Sequence, residues 1–177
     1  MSAPGAESSS PLRGSSVIGQ IKKAGIRHVL SVPDLHTSAG LLRPISQDPD
    51  LNLIRVCKED ECFGIAAGLT YGNIRSMILV QFTGFLYAIN AIRGIACEQQ
   101  LPICFMIGML GKEPGVRPTE SRKFGLRIVE PMLDTLGIRH ACIETDEDAA
   151  QISSLVDDAW RASRPVAILI GGRPEAK

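Results

Sequence analysis

Aromatic residues are scarce, only 5% of the 177. A chain so poor in rings has few platforms on which the bases of a single strand can stack. An excess of charge of either sign is also missing: Lys plus Arg and Asp plus Glu number 19 each, for a formal net charge of zero. No overall basic field draws the chain to nucleic acid or to an anionic membrane. No apolar run approaches the ~20 residues that cross a bilayer. Met1 to Ser10 contain no hydrophobic signal core, which leads to the expectation of a cytoplasmic protein. The five cysteines, at 57, 62, 97, 104 and 142, include no C-x-x-C pair. Four of them lie in apolar segments, so they read as buried free thiols of a reducing compartment rather than a disulfide frame. His28, His36 and His140 show no ligand spacing with them, so no metal bound by this chain is expected.

What is present is apolar surface. Hydrophobic residues make up 45% of the sequence, enough for one domain with a sizeable core and too little for two. A near-neutral chain of this kind tends to self-associate, so a subunit with a covered partner surface is expected. Residues 1–14 are rich in Ser, Pro, Gly and Ala and read as a loose tail. Residues 15–177 read as a single domain.

Within that domain, strands are expected over 27–32, 51–56, 76–82, 103–109, 139–143 and 166–170. Helices are expected from Ser15 or Ser16 to Gly25, then over 59–71, 86–97 and 126–136. A last helix is capped by Thr145, with Asp148 three residues on in a capping-box position. Alternation of this kind spells an α/β three-layer sandwich: a six-stranded parallel sheet with helices on both faces, joined by right-handed crossovers. Ligands in such sheets gather at the carboxyl ends of the strands. The loops there carry Asp34 and His36, then Glu59, then Thr83 and Gly84, then Arg117.

Lys58-Glu59-Asp60-Glu61 opens the segment that then turns apolar on almost every side. Three acids in a first turn suit the positive end of the helix dipole. A helix without a polar face is expected to be buried all round, which places a carboxylate where desolvation can raise its pKa. Spacing alone does not say which of the three points into a strand-end crevice. Gly64 and Gly68, four apart on that helix, suggest close approach of another backbone, either the domain's own sheet or a second subunit. Gln81 ends a buried strand and Asn90 sits among Leu86, Ile89 and Ile92, so both amides need partners, from backbone or from a heterocyclic ligand. The run Gly108-Met109-Leu110-Gly111-Lys112-Glu113 fails as a phosphate loop, because Glu follows the Lys where Ser or Thr is required. The long polar stretch 111–123, with Arg127 beyond it, gathers Arg117, Arg122 and Lys123, either a solvated loop or a dock for an anionic substrate.

Taken in order, Val32-Pro33-Asp34, Glu59 at the head of E-x-x-x-x-G-I-A-A-G, Gln81-Phe82-Thr83-Gly84 with Asn90-Ala91-Ile92, and Leu101-Pro102-Ile103 form a recognisable set. That set resembles the pyrimidine-binding domain of thiamine-diphosphate enzymes, and most of all the alpha subunits of sulfopyruvate and phosphonopyruvate decarboxylases. The resemblance covers about residues 15–171. It implies that Glu59 hydrogen-bonds the ring nitrogen of the cofactor's aminopyrimidine, giving or sharing its proton. It implies also that Gln81, Thr83, Gly84 and Asn90 lie near the pyrimidine, and that Asp34 lies near the substrate. His36 and Arg117 join Asp34 as substrate-proximal candidates. The diphosphate and its Mg²⁺ need a Gly-Asp-Gly motif with a following Asn, and this sequence has no Gly-Asp-Gly. The resemblance therefore implies a diphosphate-binding beta subunit and a small anionic 2-oxo acid substrate. Residues 108–111 depart from the His- or Arg-bearing motif often found after the fourth strand, so the particular 2-oxo acid stays open. A carboligase half and a non-catalytic regulatory or scaffold subunit remain as alternatives.

Overall fold

The structure, a computed structural model, describes residues 10–176. Six parallel strands form one sheet: β1 (His28–Ser31), β2 (Asn52–Arg55), β3 (Ser76–Gln81), β4 (Cys104–Gly108), β5 (Arg139–Ile143) and β6 (Val166–Ile170). Their order across the sheet is β2-β1-β3-β4-β6-β5. The helices are α1 (Gly14–Lys23), α2 (Arg43–Gln47), α3 (Glu59–Tyr71), α4 (Phe82–Tyr87), α5 (Ile89–Ala91), α6 (Phe124–Arg127), α7 (Val129–Thr135), α8 (Asp146–Ala149) and α9 (Ile152–Ala162). Stretches Ser38–Leu42 and Ile92–Cys97 are wound more loosely, as π-helix.

The central strands show why the sandwich forms. Every residue of β4 and β6 is buried, as expected of parallel strands covered on both faces. Side chains alternate between two cores. Met77, Leu79, Met106 and Ile168 join α1, α2, α8 and α9 on one face. Ile78, Val80, Phe105 and Leu169 join α3 to α7 on the other. Phe105 is the hub of the second core, with Phe63 edge-on at 5.5 Å and Phe85 stacked at 6.3 Å.

Several elements differ from the sequence expectation. Of the expected tail, residues 1–9 lie outside the described residues, and residues 11–14 are ordered rather than loose. Pro11 bridges to Thr145, Leu12 is buried, and the Gly14 N–H donates to the Glu175 carbonyl at 2.8 Å. These partners stand at the opposite end of the sequence, so local composition carries no trace of them. The helix expected over 86–97 begins at Phe82 instead and is interrupted, α4 and α5 leading into the π-helical stretch. The helix expected over 126–136 is broken at Ile128 into α6 and α7. Thr145 does cap α8: its side chain accepts the Asp148 N–H at 3.1 Å, and Asp148 accepts the Thr145 N–H at 3.0 Å. All five cysteines are free, but only Cys62 and Cys104 are buried as expected; Cys97 and Cys142 are half-buried and Cys57 is exposed.

The larger correction concerns α3. Cys62, Phe63, Ala66 and Ala67 face the core, while Glu61, Gly64, Ile65, Gly68 and Tyr71 face outward and are exposed. The helix is therefore not enclosed by its own chain. A β-carbon added at Gly64 or Gly68 would meet nothing within 4 Å. Packing on this domain's sheet is thus not what the two glycines serve.

Among the described residues, no helix is long and apolar enough to cross a membrane.

Candidate active site

The topology chooses the site. From β1 the chain crosses to β2 on one side and returns to β3 on the other, so β1 and β3 are neighbours that send their following segments to opposite faces. A crevice opens where the two connections part, at the carboxyl ends of the strands. It is a cleft of about 320 Å³ lined by Val32, Pro33, Asp34, Leu35 and Ser38 after β1, Glu59 at the start of α3, Gln81 and Thr83 after β3, and Leu110 after β4. A roomier hollow of about 640 Å³ lies at the other end of the sheet beside Trp160, but no carboxylate lines it.

The three acids of α3 have separate jobs. Glu61 turns back to cap its own helix, its Oε2 accepting the N–H groups of Cys57 at 3.0 Å and Lys58 at 3.3 Å. Asp60 accepts the Glu61 N–H at 3.1 Å. Glu59 alone lines the cleft. Among the described residues its carboxylate makes no hydrogen bond or ion pair within the chain. It is half-buried and packs against Gly84, where a β-carbon would come within 2.4 Å of Cγ. Below the acids, burial and then the nearby carboxylate charges push the Cys62 thiol up to about 12, so it stays protonated and is no nucleophile.

Gln81 and Thr83 act as a pair: the Thr83 hydroxyl donates to Gln81 Oε1 at 2.9 Å. Asp34 is differently employed. Its Oδ1 accepts the N–H groups of His36 at 2.6 Å and Thr37 at 2.8 Å, and its Oδ2 accepts the Thr37 hydroxyl at 2.5 Å. Three local donors hold it as a fixed acceptor at the cleft wall, an Asx-type turn that steers the chain out of β1.

The structure thus brings Asp34, Glu59, Gln81 and Thr83 together, with Gly84 behind Glu59. It does not bring the other candidates into the cleft. His36 is buried beside it, with Nε2 donating to the Ile170 carbonyl at 2.9 Å. Desolvation lowers its pKa in spite of that hydrogen bond and of the Asp34 charge. Asn90 is exposed, not buried among aliphatic neighbours, and its Oδ1 accepts from Arg93 at 3.0 Å. Arg117 pairs with Glu120 at 2.5 Å and lines a separate cavity with Lys112, Cys142 and Glu144. Lys112 itself is buried against Glu144, so the ammonium of the glycine-flanked run at 108–113 is already paired. Sequence reasoning passed over Leu35, Ser38 and Leu110, because only the sheet order places them on one cleft.

No family model matches the chain. A crystal structure from Mycobacterium smegmatis, described as a thiamin diphosphate-dependent enzyme, aligns with a TM-score of 0.64 over 94% of this chain, at 16% sequence identity. The chain spans about a third of that structure's length, 33%. The chain accordingly shares the fold of part of that structure. In sequence, the chain resembles the alpha subunit of sulfopyruvate decarboxylase along nearly its whole length. It is 29% identical over 160 residues to that subunit from Methanocaldococcus jannaschii, covering 89% of this chain and 93% of the relative. It is 26% identical over 159 residues to the one from Methanothermobacter thermautotrophicus, covering 88% and 93%.

Proposed function

We propose that this chain is the pyrimidine-binding subunit of a heteromeric thiamine-diphosphate-dependent 2-oxo acid decarboxylase of the sulfopyruvate or phosphonopyruvate type. The observation that carries the reading is Glu59: an acid with no partner among the described residues, at the mouth of a helix, in the cleft at the strand switch point.

The residues present fit the aminopyrimidine end of the cofactor. A ring nitrogen needs one carboxyl, which Glu59 offers, and an amino group needs acceptors, which Gln81 and Thr83 supply. When bound, the cofactor supplies the electron sink that accepts the pair released as carbon dioxide leaves a 2-oxo acid. This chain's work is orientation and proton handling. Glu59 holds or shares a proton at the ring nitrogen, and Gly84 leaves it room to do so. The buried Asp34 turn fixes one wall of the cleft.

The charged end of the cofactor is held elsewhere. With no Gly-Asp-Gly in the sequence, the diphosphate and its Mg²⁺ fall to a diphosphate-binding beta subunit. The outer face of α3 suits such a partner. Gly64 and Gly68 leave open space there, with Ile65 37% and Tyr71 71% exposed.

The test is reconstitution. The purified chain, its partner subunit, thiamine diphosphate and Mg²⁺ should together release carbon dioxide from sulfopyruvate or phosphonopyruvate, and Glu59→Gln should lower that rate by about 100-fold or more. Full turnover by the partner alone would instead mark this chain as a scaffold, and acyloin products would mark a carboligase. An unchanged rate in Glu59→Gln removes the role given to that residue.

A further inference from the structure

The stretch from 112 to 123 is long but not slack. Lys112 is tied to Glu144, and the Gly115 N–H reaches the same carboxylate at 3.3 Å. Glu113 accepts the Ser121 hydroxyl at 2.7 Å and the Arg122 N–H at 3.1 Å. Arg127 donates to the carbonyls of Ser121 and Arg122 at 3.1 and 3.2 Å. These bonds fix the end of the stretch where Lys123 begins.

Of the basic side chains on this stretch, Lys123 is the one that bonds a residue lining the cleft, and Arg122 and Arg127 share with it the lack of a carboxylate partner among the described residues. Lys112 and Arg117 each have a carboxylate partner. Among the described residues, Lys123 has none within 4.0 Å. Its Nζ donates to the Leu110 carbonyl at 3.2 Å, and Leu110 lines the Glu59 cleft. The ammonium lies over Gly111, where a β-carbon would sit only 1.9 Å from Nζ. Gly125, two residues on, rests against the Phe82 ring, and Phe82 stands between the cleft residues Gln81 and Thr83. Two independent contacts therefore dock 123–125 on the rim. An ammonium has three N–H donors and Leu110 takes one, leaving two for a ligand. The cleft below is lined by two carboxylates, Asp34 and Glu59, so an anionic substrate needs a positive charge at its entrance.

We propose that Lys123 receives the second anionic group, a sulfonate or phosphonate, of a substituted 2-oxo acid seated in the cleft. This rests on the function proposed above and narrows the basic stretch, in which the sequence offered Arg117, Arg122 and Lys123 alike, to one side chain. Lys123 is a specificity residue: it binds the substituent that pyruvate lacks.

In the reconstituted complex, Lys123→Met should raise KM for sulfopyruvate about 10- to 100-fold, as loss of a charged hydrogen bond does. KM for pyruvate should stay within about twofold, and Lys123→Arg should recover part of the loss. Equal KM changes for both acids, or none, overturn the assignment. A second readout needs no turnover. Sulfoacetate, but not acetate, should protect Lys123 of the wild-type complex from acetic anhydride, read by peptide mass spectrometry. Lack of protection also overturns the assignment. A complex that fails on every 2-oxo acid, yet shows the protection, refutes the reaction and keeps the anion site.

Discussion

Gly84 and Glu59 occupy one another's space: a β-carbon on Gly84 would stand 2.4 Å from Glu59 Cγ and 2.5 Å from Oε1. The obstruction meets a flexible side chain, not backbone, so the acid would swing aside while the fold survives. Gly84→Ala is therefore expected to keep its melting temperature within a few degrees, since relief of helical glycine offsets the crowding by up to ~1 kcal/mol. Decarboxylation in the reconstituted enzyme should fall about tenfold or more, as misplacement of a proton-handling group does. Full activity in a folded Gly84→Ala chain would show that the acid does not need that position.

The division among the three acids gives a second contrast. Glu61 closes the cap of α3, and among the described residues Glu59 makes no hydrogen bond or ion pair. Glu61→Ala should lower stability by about 0.5–1 kcal/mol, the worth of a cap, and leave activity of the folded protein largely intact. Glu59→Gln should do the reverse. Urea titration and turnover, measured on the same two preparations, decide it.

Much of the frame was legible beforehand. Strands over 139–143 and 166–170 stand where their apolar runs put them, and α3 begins at its acids and ends before Gly72. What local pattern could not carry was context. Thr83-Gly84 reads as a turn, yet Gly84 lies inside α4 because Glu59, 25 positions earlier, needs the room. The apolar, glycine-bearing face of α3 reads as interior, because hydrophobic pattern does not record whether a face is covered. Asn90 looks enclosed by its aliphatic neighbours, but those neighbours turn to the sheet while the amide faces out to Arg93.

His36 makes stability depend on acid. Burial pushes its imidazole below the usual 6.5, against the Ile170 carbonyl and Asp34 charge that pull the other way. Below pH 6.5 the unfolded chain therefore binds this proton more readily than the folded one. Its contribution is whole above that pH and is lost as pH falls. Urea midpoints should drop between about pH 7 and pH 5 in the wild type, and less steeply in His36→Gln. Parallel profiles would assign the loss to other groups.

Gly64 and Gly68 lie on open helix surface within this chain. Alanine at either place should stabilise the isolated chain by up to ~1 kcal/mol through helix propensity. Leucine at Gly68 should leave the fold intact and weaken association with the beta subunit, seen as a shifted elution volume in the mixed sample. Unaltered assembly with Gly68→Leu would place the partner elsewhere.

The stretch that carries Lys123 is moored through Lys112 to Glu144, just past β5 at one border of the sheet, while Glu59 is delivered by the link between β2 and β3 towards the opposite border. On the roles proposed above, the group that selects the reactant and the group that handles the proton reach one cleft from opposite borders of the sheet. Substitution at the exposed end of that stretch would then alter the choice of keto acid while leaving the acid of α3 where it stands.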